Sequence, residues 1–565
     1  MKKNVLRYIS LILIITVFVT GLYGCSSKKE TNFYNEPIDT IAEAESFEVN
    51  KESNNSTAME YDMEQESPMM DQLTVMDGGE LQADSFTNEN GMEEFNTEEY
   101  NAIIENNFQA VKDYPLSTFS VDVDTASYSN IRRMIYDEGV VEPDAVRIEE
   151  MINYFKYDYE KPTGDTPFSI NTELSNCPWN EDAKLLLIGL QAKEIDLTNR
   201  PSSNLVFLLD ISGSMEEPDK LPLVQKAFTM LAENLNENDR ISIVTYAGFE
   251  QVVLEGARGD DKYKITEAIN NLTAGGSTAG AAGITKAYEL AENYFLDGGN
   301  NRVILATDGD LNVGVSSEGE LTRLIEKKRK KGVFLSVLGF GTENIKDNKM
   351  EALADNGNGN YAYIDSLLEA KKVLVEEMGG TLFTVAKDVK LQVEFNPTKV
   401  KGYRLIGYEN RMLNTEDFND DTKDAGEIGA GHRVTALYEI VEVGSKQEIA
   451  ESNLKYQQQT ATSDTDEWLT INIRYKEPDE DTSKLITKTV DQDNYVKVMP
   501  KNLSFASSVA AFGMILRDSK WKGTANYDMV IRNVDKLNLQ GDEYKDEFLS
   551  LVKKMERSNS TWILD

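Results

Sequence analysis

Three oxygen-bearing side chains occur close together at residues 210–214, where the sequence reads DISGS. Asp210 offers a carboxylate, and Ser212 and Ser214 offer hydroxyl groups at alternate positions. Gly213 lies between the two serines and permits a tight bend, so that the three groups can converge on one point. Hard oxygen ligands of this kind suit Mg²⁺, Mn²⁺ or Ca²⁺ rather than zinc. The alternative is a capped turn, in which Asp210 and the serines bond to nearby backbone amides.

The segments around this turn predict a strand followed by a helix. The apolar run 205–209 before Asp210 is typical of a strand buried on both faces, as in a parallel sheet covered by helices. After the turn, apolar residues recur from Val224 to Leu235 with the spacing of one helix face. Strand, turn and helix open a doubly wound α/β domain, in which ligand sites lie at the carboxyl ends of the strands. We therefore expect the turn to lie at such a site.

The motif DISGSM resembles the D-x-S-x-S sequence that begins the metal-ion-dependent adhesion site (MIDAS) of von Willebrand factor type A (VWA) domains. Two further stretches follow in the order of that family: GGSTAG at 275–280 supplies Thr278, and ATDGD at 306–310 supplies Asp308. The resemblance implies that Asp210, Ser212 and Ser214 hold Mg²⁺, or alternatively Mn²⁺ or Ca²⁺. It implies that Thr278 and Asp308 bind the same metal directly or through water. It also implies that an Asp or Glu carboxylate of a partner protein completes the coordination.

The alternation of strand-like and helix-like segments from 203 to 379 predicts the fold of this central part. It indicates an α/β, Rossmann-like VWA domain with a mainly parallel six-stranded sheet, flanked by helices and joined by right-handed crossovers. The first and fourth strands precede Asp210 and Asp308. These strands would be neighbours if the strand order is 3-2-1-4-5-6.

The remaining segments predict a flanking β-rich α+β region built from both ends of the chain. Strand-like pieces at Phe168–Leu174 and Lys184–Leu190 are expected to pair with the C-terminal region rather than with the central sheet. Residues 389–395 alternate apolar and polar side chains, which predicts a half-exposed antiparallel strand. The acidic segment 415–427 is expected to be a surface loop, and the largely apolar helix at 502–517 is expected to be buried.

Several longer stretches resemble YfbK-like bacterial lipoproteins, which carry a VWA domain. LSTFSVDVDTASYSNIRRM and DAVRIEEMINYF resemble the region before that domain, whereas KDVKLQVEFNPTKVKGYRLIGYENR and DAGEIGAGHRVTALYEI resemble its C-terminal neighbour. We accordingly expect five parts: a lipoprotein signal peptide at 1–24, a disordered acidic tether at 25–100, an N-terminal VWA-associated region at 101–202, the VWA domain with its MIDAS at 203–379, and a C-terminal β-rich domain with terminal helices at 380–565.

The first residues indicate export and lipidation. Lys2, Lys3 and Arg7 precede an apolar stretch at 9–19 that is too short for a typical membrane span. The following LYGC resembles a bacterial lipobox, which implies cleavage before Cys25 and a lipid anchor on its sulfur; an ordinary signal peptide or an uncleaved anchor is the alternative. We expect the protein to be anchored to the cell membrane or envelope and to face outside the cytoplasm.

The segment between the predicted anchor and the predicted domains is strongly acidic. Residues 26–100 contain 20 acidic residues against three lysines, and no period persists. This composition predicts a self-repelling disordered tether, with an acidic ligand-binding segment as the alternative.

Composition excludes several functional classes. The net charge of −39 argues against unspecific nucleic-acid binding, which requires a basic surface. His432 is the only histidine, so multi-histidine metal sites are excluded and a histidine-based triad is not expected. We interpret His432 as a strand-start residue that bonds to backbone. Once Cys25 is lipidated, Cys177 has no partner for a disulfide and is predicted to be a buried small apolar residue.

The sequence VDVDTAS places Asp122 and Asp124 after a predicted strand. A D-x-D pattern in this position also marks phosphotransferases that use an aspartate nucleophile, but that family has Thr or Val where this chain has Ala126. We therefore predict a strand-end turn in which Asp124 or Thr125 caps the following helix.

Three functional hypotheses follow. The first is a lipid-anchored module that binds a protein ligand through its metal site, and the five-residue metal set favours it. The second is an envelope assembly scaffold that uses its flanking domains, with a non-essential metal site. The third is a metal-assisted hydrolase, which needs a general base beside a metal-bound water; Asp310 is the candidate. We predict that the protein is not an enzyme and expect neither nucleic acid nor a small-molecule substrate as a partner.

Overall fold

The computed structural model describes residues 85–87, 93–95 and 98–562, except for 196–199, 278–279, 310–317, 343, 378–382, 424, 453–464, 479 and 540. The predicted signal peptide, Cys25 and nearly all of the predicted tether therefore lie outside the described residues, as do Thr278 and Asp310. No helix among the described residues combines the length and the hydropathy that a membrane span requires.

The strands are, in chain order, β1 (Ser85–Thr87), β2 (Glu93–Phe95), β3 (Gln109–Ala110), β4 (Leu116–Ser120), β5 (Phe168–Asn176), β6 (Lys184–Ala192), β7 (Ser203–Asp210), β8 (Arg240–Tyr246), β9 (Glu250–Arg258), β10 (Asn300–Thr307), β11 (Val333–Phe340), β12 (Tyr361–Ile364), β13 (Thr384–Phe395), β14 (Val400–Ile406), β15 (Gly426–Gly429), β16 (Arg433–Glu442), β17 (Glu467–Lys476) and β18 (Lys484–Asp491).

The α-helices are α1 (Ala126–Asp137), α2 (Ile148–Asn153), α3 (Leu221–Glu233), α4 (Lys262–Asn270), α5 (Gly280–Asn293), α6 (Glu318–Arg329), α7 (Asp347–Asn356), α8 (Leu367–Lys371), α9 (Lys501–Leu516), α10 (Tyr527–Asp535) and α11 (Glu543–Trp562).

The central sheet has six strands in the order β12-β11-β10-β7-β8-β9. All neighbours pair in parallel except β9, which is antiparallel to β8 at one edge. Successive residues of β7 face opposite cores: Leu205 and Phe207 pack with α3 and α4, whereas Val206 and Leu208 pack with α5 and α6. The sheet is therefore covered by helices on both faces. This arrangement confirms the predicted fold, and its strand order is 3-2-1-4-5-6 within the domain, the order in which the first and fourth strands are neighbours.

Two further sheets stack face to face beside this domain. One contains β15, β13, β17 and β18 with β4 paired to β13, and the other has the order β3-β14-β16-β6-β5. Apolar side chains from both sheets, including Phe119, Leu186, Leu391 and Ile471, form one core between them. Strands from before the VWA domain thus pair with strands from after it, which confirms the predicted flanking β-rich region built from both ends of the chain.

A layer of helices covers the outer face of the second sheet. Leu185 and Leu437 of that sheet pack against α2, α9 and α11 in a separate apolar cluster. Helix α9 is buried around most of its circumference, as predicted. The reason is that α9 lies between the sheet and the helices α10 and α11, so no face of it remains for solvent.

Strand β13 is more buried than its alternating pattern predicts. Besides Leu391 and Val393, the polar Lys390 and Gln392 on its other face are 2% and 8% exposed. The acidic segment covers that face, because Lys390 Nζ donates to backbone carbonyls of that segment at Asp417 and Asp420. The prediction of a half-exposed strand was wrong for this reason. The segment predicted as a surface loop instead contains a short turn, Thr415–Asn419, and the first two residues of β15.

Helix α1 joins the two parts of the molecule. Ala126 packs in the core of the VWA domain, whereas Ile131 belongs to the cluster of the C-terminal helices. From the same helix, Arg132 donates to Glu369 in α8 and Glu547 in α11, each at 2.8 Å. The arginine is buried, so these ion pairs fix α1 against elements from both sides.

Candidate metal centre

The two carboxylates of the predicted metal site follow neighbouring strands. Asp210 is the last residue of β7, and Asp308 follows the last residue of β10. These strands pair in parallel, with Leu209 opposite Ala306, so both carboxylates lie at the same edge of the sheet. Both residues have an exposed fraction of 0%. The structure therefore brings together two residues that are far apart in sequence.

Hydrogen bonds fix the carboxylate of Asp210 from both sides. Its Oδ1 accepts from the backbone N–H of Ser212 at 2.9 Å, and its Oδ2 accepts from the hydroxyl of Thr307 at 3.3 Å. The hydroxyl oxygens of Ser212 and Ser214 are 3.1 Å apart. Ser212 is buried and Ser214 is exposed, so the polar cluster opens to solvent at Ser214. The turn thus contains both the local bonds of a capped turn and the converging oxygens of the metal hypothesis.

The loop that carries Thr278 is bonded to this turn. Gly213 N donates to the carbonyl of Gly276 at 3.0 Å, and Gly275 N donates to the carbonyl of Ile211 at 2.8 Å. Gly276 has a φ of 91°, a conformation that favours glycine, which explains the glycine at position 276. Thr278 itself lies outside the described residues. The participation of Thr278 in the metal site therefore remains a prediction from the resemblance.

A lysine that sequence reasoning missed lies in the site. Lys220 Nζ is 3.5 Å from Asp308 Oδ2, and the lysine is 6% exposed. Its aliphatic stem passes over Gly341, where an added Cβ would lie 2.4 Å from Lys220 Cε. No local motif links Lys220 to Asp308, because the contact depends on how the start of α3 packs against the end of β11. Thr307 was also missed, although it directly precedes Asp308 in ATDGD.

The electrostatics of the site are those of two buried acids with one cation. Burial raises the pKa of Asp210 to about 6, and the nearby charge of Asp308 adds to this rise, whereas hydrogen bonds from Ser212 oppose it. Tyr246 is buried beside this carboxylate, and burial raises its pKa well above the usual range. When both acids are ionised, Lys220 offsets only one of the two negative charges.

The donor set fits a hard divalent cation. Two carboxylates and serine hydroxyls are ligands that Mg²⁺, Mn²⁺ and Ca²⁺ accept, and the excess negative charge favours a cation. In the described part of the chain, no three His, Cys, Asp or Glu side chains are grouped so as to hold a metal ion. A metal here would therefore depend on the hydroxyl groups as well as on Asp210 and Asp308. The identity of the metal stays a prediction.

The acidic pair in VDVDTAS has a different role from the predicted cap. Asp124 accepts from the backbone N–H of Tyr361 at 2.9 Å and is 3.3 Å from Arg411. No side-chain hydrogen bond from Asp124 or Thr125 caps α1. Instead, the carboxylate of Glu150 accepts from the backbone N–H of Ser127 in the first turn. The capping prediction was wrong because the carboxylate of Asp124 is bound by groups in β12 and in the loop after β14.

Cys177 is buried, whereas His432 is partly exposed. His432 directly precedes β16, and its backbone bonds to Ala192 and Gly429, as predicted for a strand-start residue. Cys177 is buried in an apolar cluster, as predicted, and its Sγ is also 3.7 Å from Glu439 Oε1. Burial and the charge of Glu439 raise the pKa of the Cys177 thiol well above its usual range, which disfavours a reactive thiolate.

Family models match most of the chain. The model described as "von Willebrand factor type A domain" matches residues 204–376, and one described as "von Willebrand factor" matches 94–187. A third, described as "Uncharacterized protein YfbK, C-terminal", matches 380–557.

Individual proteins are similar to this chain over most of its length or over part of it. "Uncharacterized protein YfbK" of Escherichia coli (strain K12) is 41% identical over 466 residues, which are 81% of this chain and 81% of that protein. "Uncharacterized protein sll0103" of Synechocystis sp. is 30% identical over 188 residues, 33% of this chain and 43% of that protein. The solved structure "von Willebrand factor type A from Catenulispora acidiphila" is 16% identical, with a TM-score of 0.37, and covers 68% of this chain and 88% of that one. Because the similarity to the Escherichia coli protein extends over 81% of both chains, this protein belongs to the YfbK family and contains a VWA domain.

Proposed function

We propose that this protein binds a protein ligand through a divalent metal held at the end of its VWA sheet. The metal-binding residues in this proposal are Asp210, Ser212, Ser214, Thr278 and Asp308. A bound divalent cation would supply a Lewis-acidic position that accepts a carboxylate oxygen from an Asp or Glu of the partner. Mg²⁺ is the metal that we expect, with Mn²⁺ and Ca²⁺ as alternatives.

One observation carries this proposal: Asp210 and Asp308 are fully buried at the ends of adjacent parallel strands, beside an exposed Ser214. Burying two like charges is costly unless a cation compensates them, and Lys220 provides a single positive charge. The exposed serine makes the cluster accessible from solvent, which a purely structural charge cluster does not require.

The residues of the proposed site have different roles in binding the metal. Asp210 and Asp308 would supply negative charge, and the serine hydroxyls would supply neutral oxygens. Because the hydroxyls add no charge, a bound cation would still attract an anionic ligand. The hydroxyl of Thr307 and the N–H of Ser212 hold the Asp210 carboxylate in a fixed orientation. This preorganisation reduces the entropy that would otherwise be lost when a ligand binds.

We further propose that the protein is held at the cell membrane or envelope by a lipid on Cys25, outside the cytoplasm. The sequence LYGC and the basic, then apolar, leader support this placement. The acidic segment 26–100 would then act as a tether that lets the folded part reach a partner. In this proposal the protein binds and does not turn over a substrate; the relatives described above are not named as enzymes.

The test is a capture experiment with the full-length protein as bait and envelope proteins as prey. We expect a partner that is retained in Mg²⁺, released by a chelator and lost with Asp210→Ala. Asp297→Ala is the matched control, because Asp297 is exposed in the loop before β10, at the opposite end of the sheet. A partner that every bait retains equally with and without the metal would refute metal-dependent binding and favour the scaffold hypothesis.

A further inference from the structure

A polar cavity of about 240 Å³ lies between the VWA domain and the flanking sheets, remote from the metal centre. Arg302, the third residue of β10, and the turn at 358–360 before β12 form its wall on the VWA side. Asp122, after β4, and Glu427, in β15, form its wall on the other side. Asp308 follows the far end of β10, so about six residues at ~3.3 Å each put the cavity roughly 20 Å from the metal centre.

Arg302 is a buried cation that no described carboxylate neutralises. It is 2% exposed, its Nη1 donates to the hydroxyl of Ser336 at 2.7 Å, and its guanidinium lies 5.6 Å from the ring centroid of Phe334. Its Nε has no hydrogen-bond partner among the described residues. Burial lowers the pKa of Arg302 to about 10, and the charge of Glu427 only partly opposes this effect. An unpaired guanidinium of this kind calls for an anion.

Asp122 is the complementary group in the same cavity. Its carboxylate accepts no hydrogen bond and forms no ion pair within 4 Å in the part of the chain that the structure describes. Burial raises the pKa of Asp122 to about 7, although the positive charge of Arg411 opposes the rise. The cavity thus has a buried cation on one wall and, on the other, an acid that is offset only by the nearby charge of Arg411. Among the described ion pairs, Arg302 and Asp122 do not pair with each other.

The other ionisable groups of the cavity are bound to the protein. Arg411 pairs with Asp355 at 2.8 Å and with Glu351 at 2.9 Å. Glu427 accepts from Asn358 at 2.7 Å and from Thr384 at 2.9 Å, which holds its carboxylate in place. Burial lowers the pKa of His432, which keeps its imidazole neutral near pH 7. These fixed contacts leave Arg302 and Asp122 as the groups that a ligand would satisfy.

We infer that this cavity binds a small zwitterion of the amino-acid or short-peptide class, with its carboxylate on Arg302 and its ammonium group on Asp122. The cavity volume is below the ~300 Å³ at which pockets for drug-sized ligands begin, which suits a small metabolite. A simple anion would leave Asp122 unpaired, and a simple amine would leave Arg302 unpaired. A molecule with both charges satisfies the two walls at once.

The test is isothermal titration calorimetry of the full-length protein with three sets of probes: the standard L-amino acids, ω-amino acids such as β-alanine and γ-aminobutyrate, and dipeptides of the binders. The set that binds identifies the length of the zwitterion. For each binder, the N-acetylated form and the methyl ester remove one charge at a time. We expect both to bind at least about tenfold more weakly, since each loses one charge-assisted contact.

Two variants connect binding to the cavity. Asp122→Asn keeps the shape of the side chain and removes no side-chain hydrogen bond found among the described residues. Arg302→Met removes a buried cation at the cost of one hydrogen bond to Ser336, so both variants are expected to fold. Each should weaken the binder by about tenfold or more, whereas Asp297→Asn should leave its affinity unchanged. The inference is overturned if no zwitterion binds, if the singly charged forms bind as well as the parent compound, or if both variants bind with wild-type affinity.

Discussion

The variant Asp210→Asn is expected to stabilise the metal-free protein and at the same time to abolish stabilisation by Mg²⁺. Asparagine keeps the shape of the side chain, and its Oδ1 can still accept from the N–H of Ser212. Its amide nitrogen faces the hydroxyl of Thr307, which can rotate to accept rather than donate. The substitution therefore removes the charge while preserving the local hydrogen bonds.

The expected gain in the free energy of unfolding follows from the pKa of Asp210, which burial raises from 3.8 to about 6. The unfolded chain loses this proton near pH 3.8, whereas the metal-free fold retains it up to about pH 6. The free energy of unfolding therefore falls as pH rises through this window, and the full cost is present above it. With about 1.36 kcal/mol for each pKa unit, the ionised carboxylate costs the metal-free fold about 3 kcal/mol.

The assay is urea denaturation of wild type and variant at a pH well above 6, in chelator and in saturating Mg²⁺. In chelator the variant should be more stable by up to about 3 kcal/mol, and this advantage should disappear as the pH approaches 4. Mg²⁺ should stabilise the wild type by about 2.7 kcal/mol at a hundredfold excess over its dissociation constant, and should not stabilise the variant. Other acids with raised pKa values, such as Asp347, contribute equally to both proteins and cancel in the difference.

A loss of stability in chelator for Asp210→Asn would contradict the proposed charge repulsion. Equal stabilisation of both proteins by Mg²⁺ would contradict the assignment of Asp210 as a ligand. Asp297→Asn controls for the loss of one negative charge elsewhere in the domain, because Asp297 is exposed. It should respond to Mg²⁺ as the wild type does.

Three further predictions concern buried charges. Lys220→Met removes the cation beside Asp308, so thermal melts should show a lower midpoint in chelator and a larger increase with Mg²⁺; an unchanged increase would place Lys220 outside the site. Arg132→Met leaves Glu369 buried without its arginine and should cost about 3–5 kcal/mol in urea denaturation, and adding Glu369→Gln should restore part of the loss; no restoration would contradict the pairing. Glu439→Leu should cost a similar ~3–5 kcal/mol, because Arg404 would remain buried and unpaired; a loss below about 1 kcal/mol would refute this estimate.

The flanking region illustrates which features a sequence pattern predicts and which it misses. The pairing of Lys184–Ala192 with Arg433–Glu442 agrees with the expectation that the early strands join the C-terminal region. The alternation in β13 identified the face that packs in the sandwich core. It did not reveal that the acidic segment covers the opposite face, because an alternating pattern reports the polarity of a face and not what lies against it. From the sequence alone, Lys390 is predicted to be exposed to solvent. Only the structure shows that its Nζ donates to the backbone carbonyls of Asp417 and Asp420.

The sequence by itself predicted the polar groups of the proposed metal centre and the architecture around it. The turn at 210–214 follows from a buried strand, a glycine and a helix within a short stretch, and the alternation of strands and helices predicts a mainly parallel sheet with right-handed crossovers. Only the tertiary structure decided that Lys220 lies beside Asp308, that Asp124 pairs with Arg411, and that Arg302 and Asp122 line one cavity. These contacts join segments far apart in the chain, and they depend on how separate elements pack. Local periodicity carries no information about such packing.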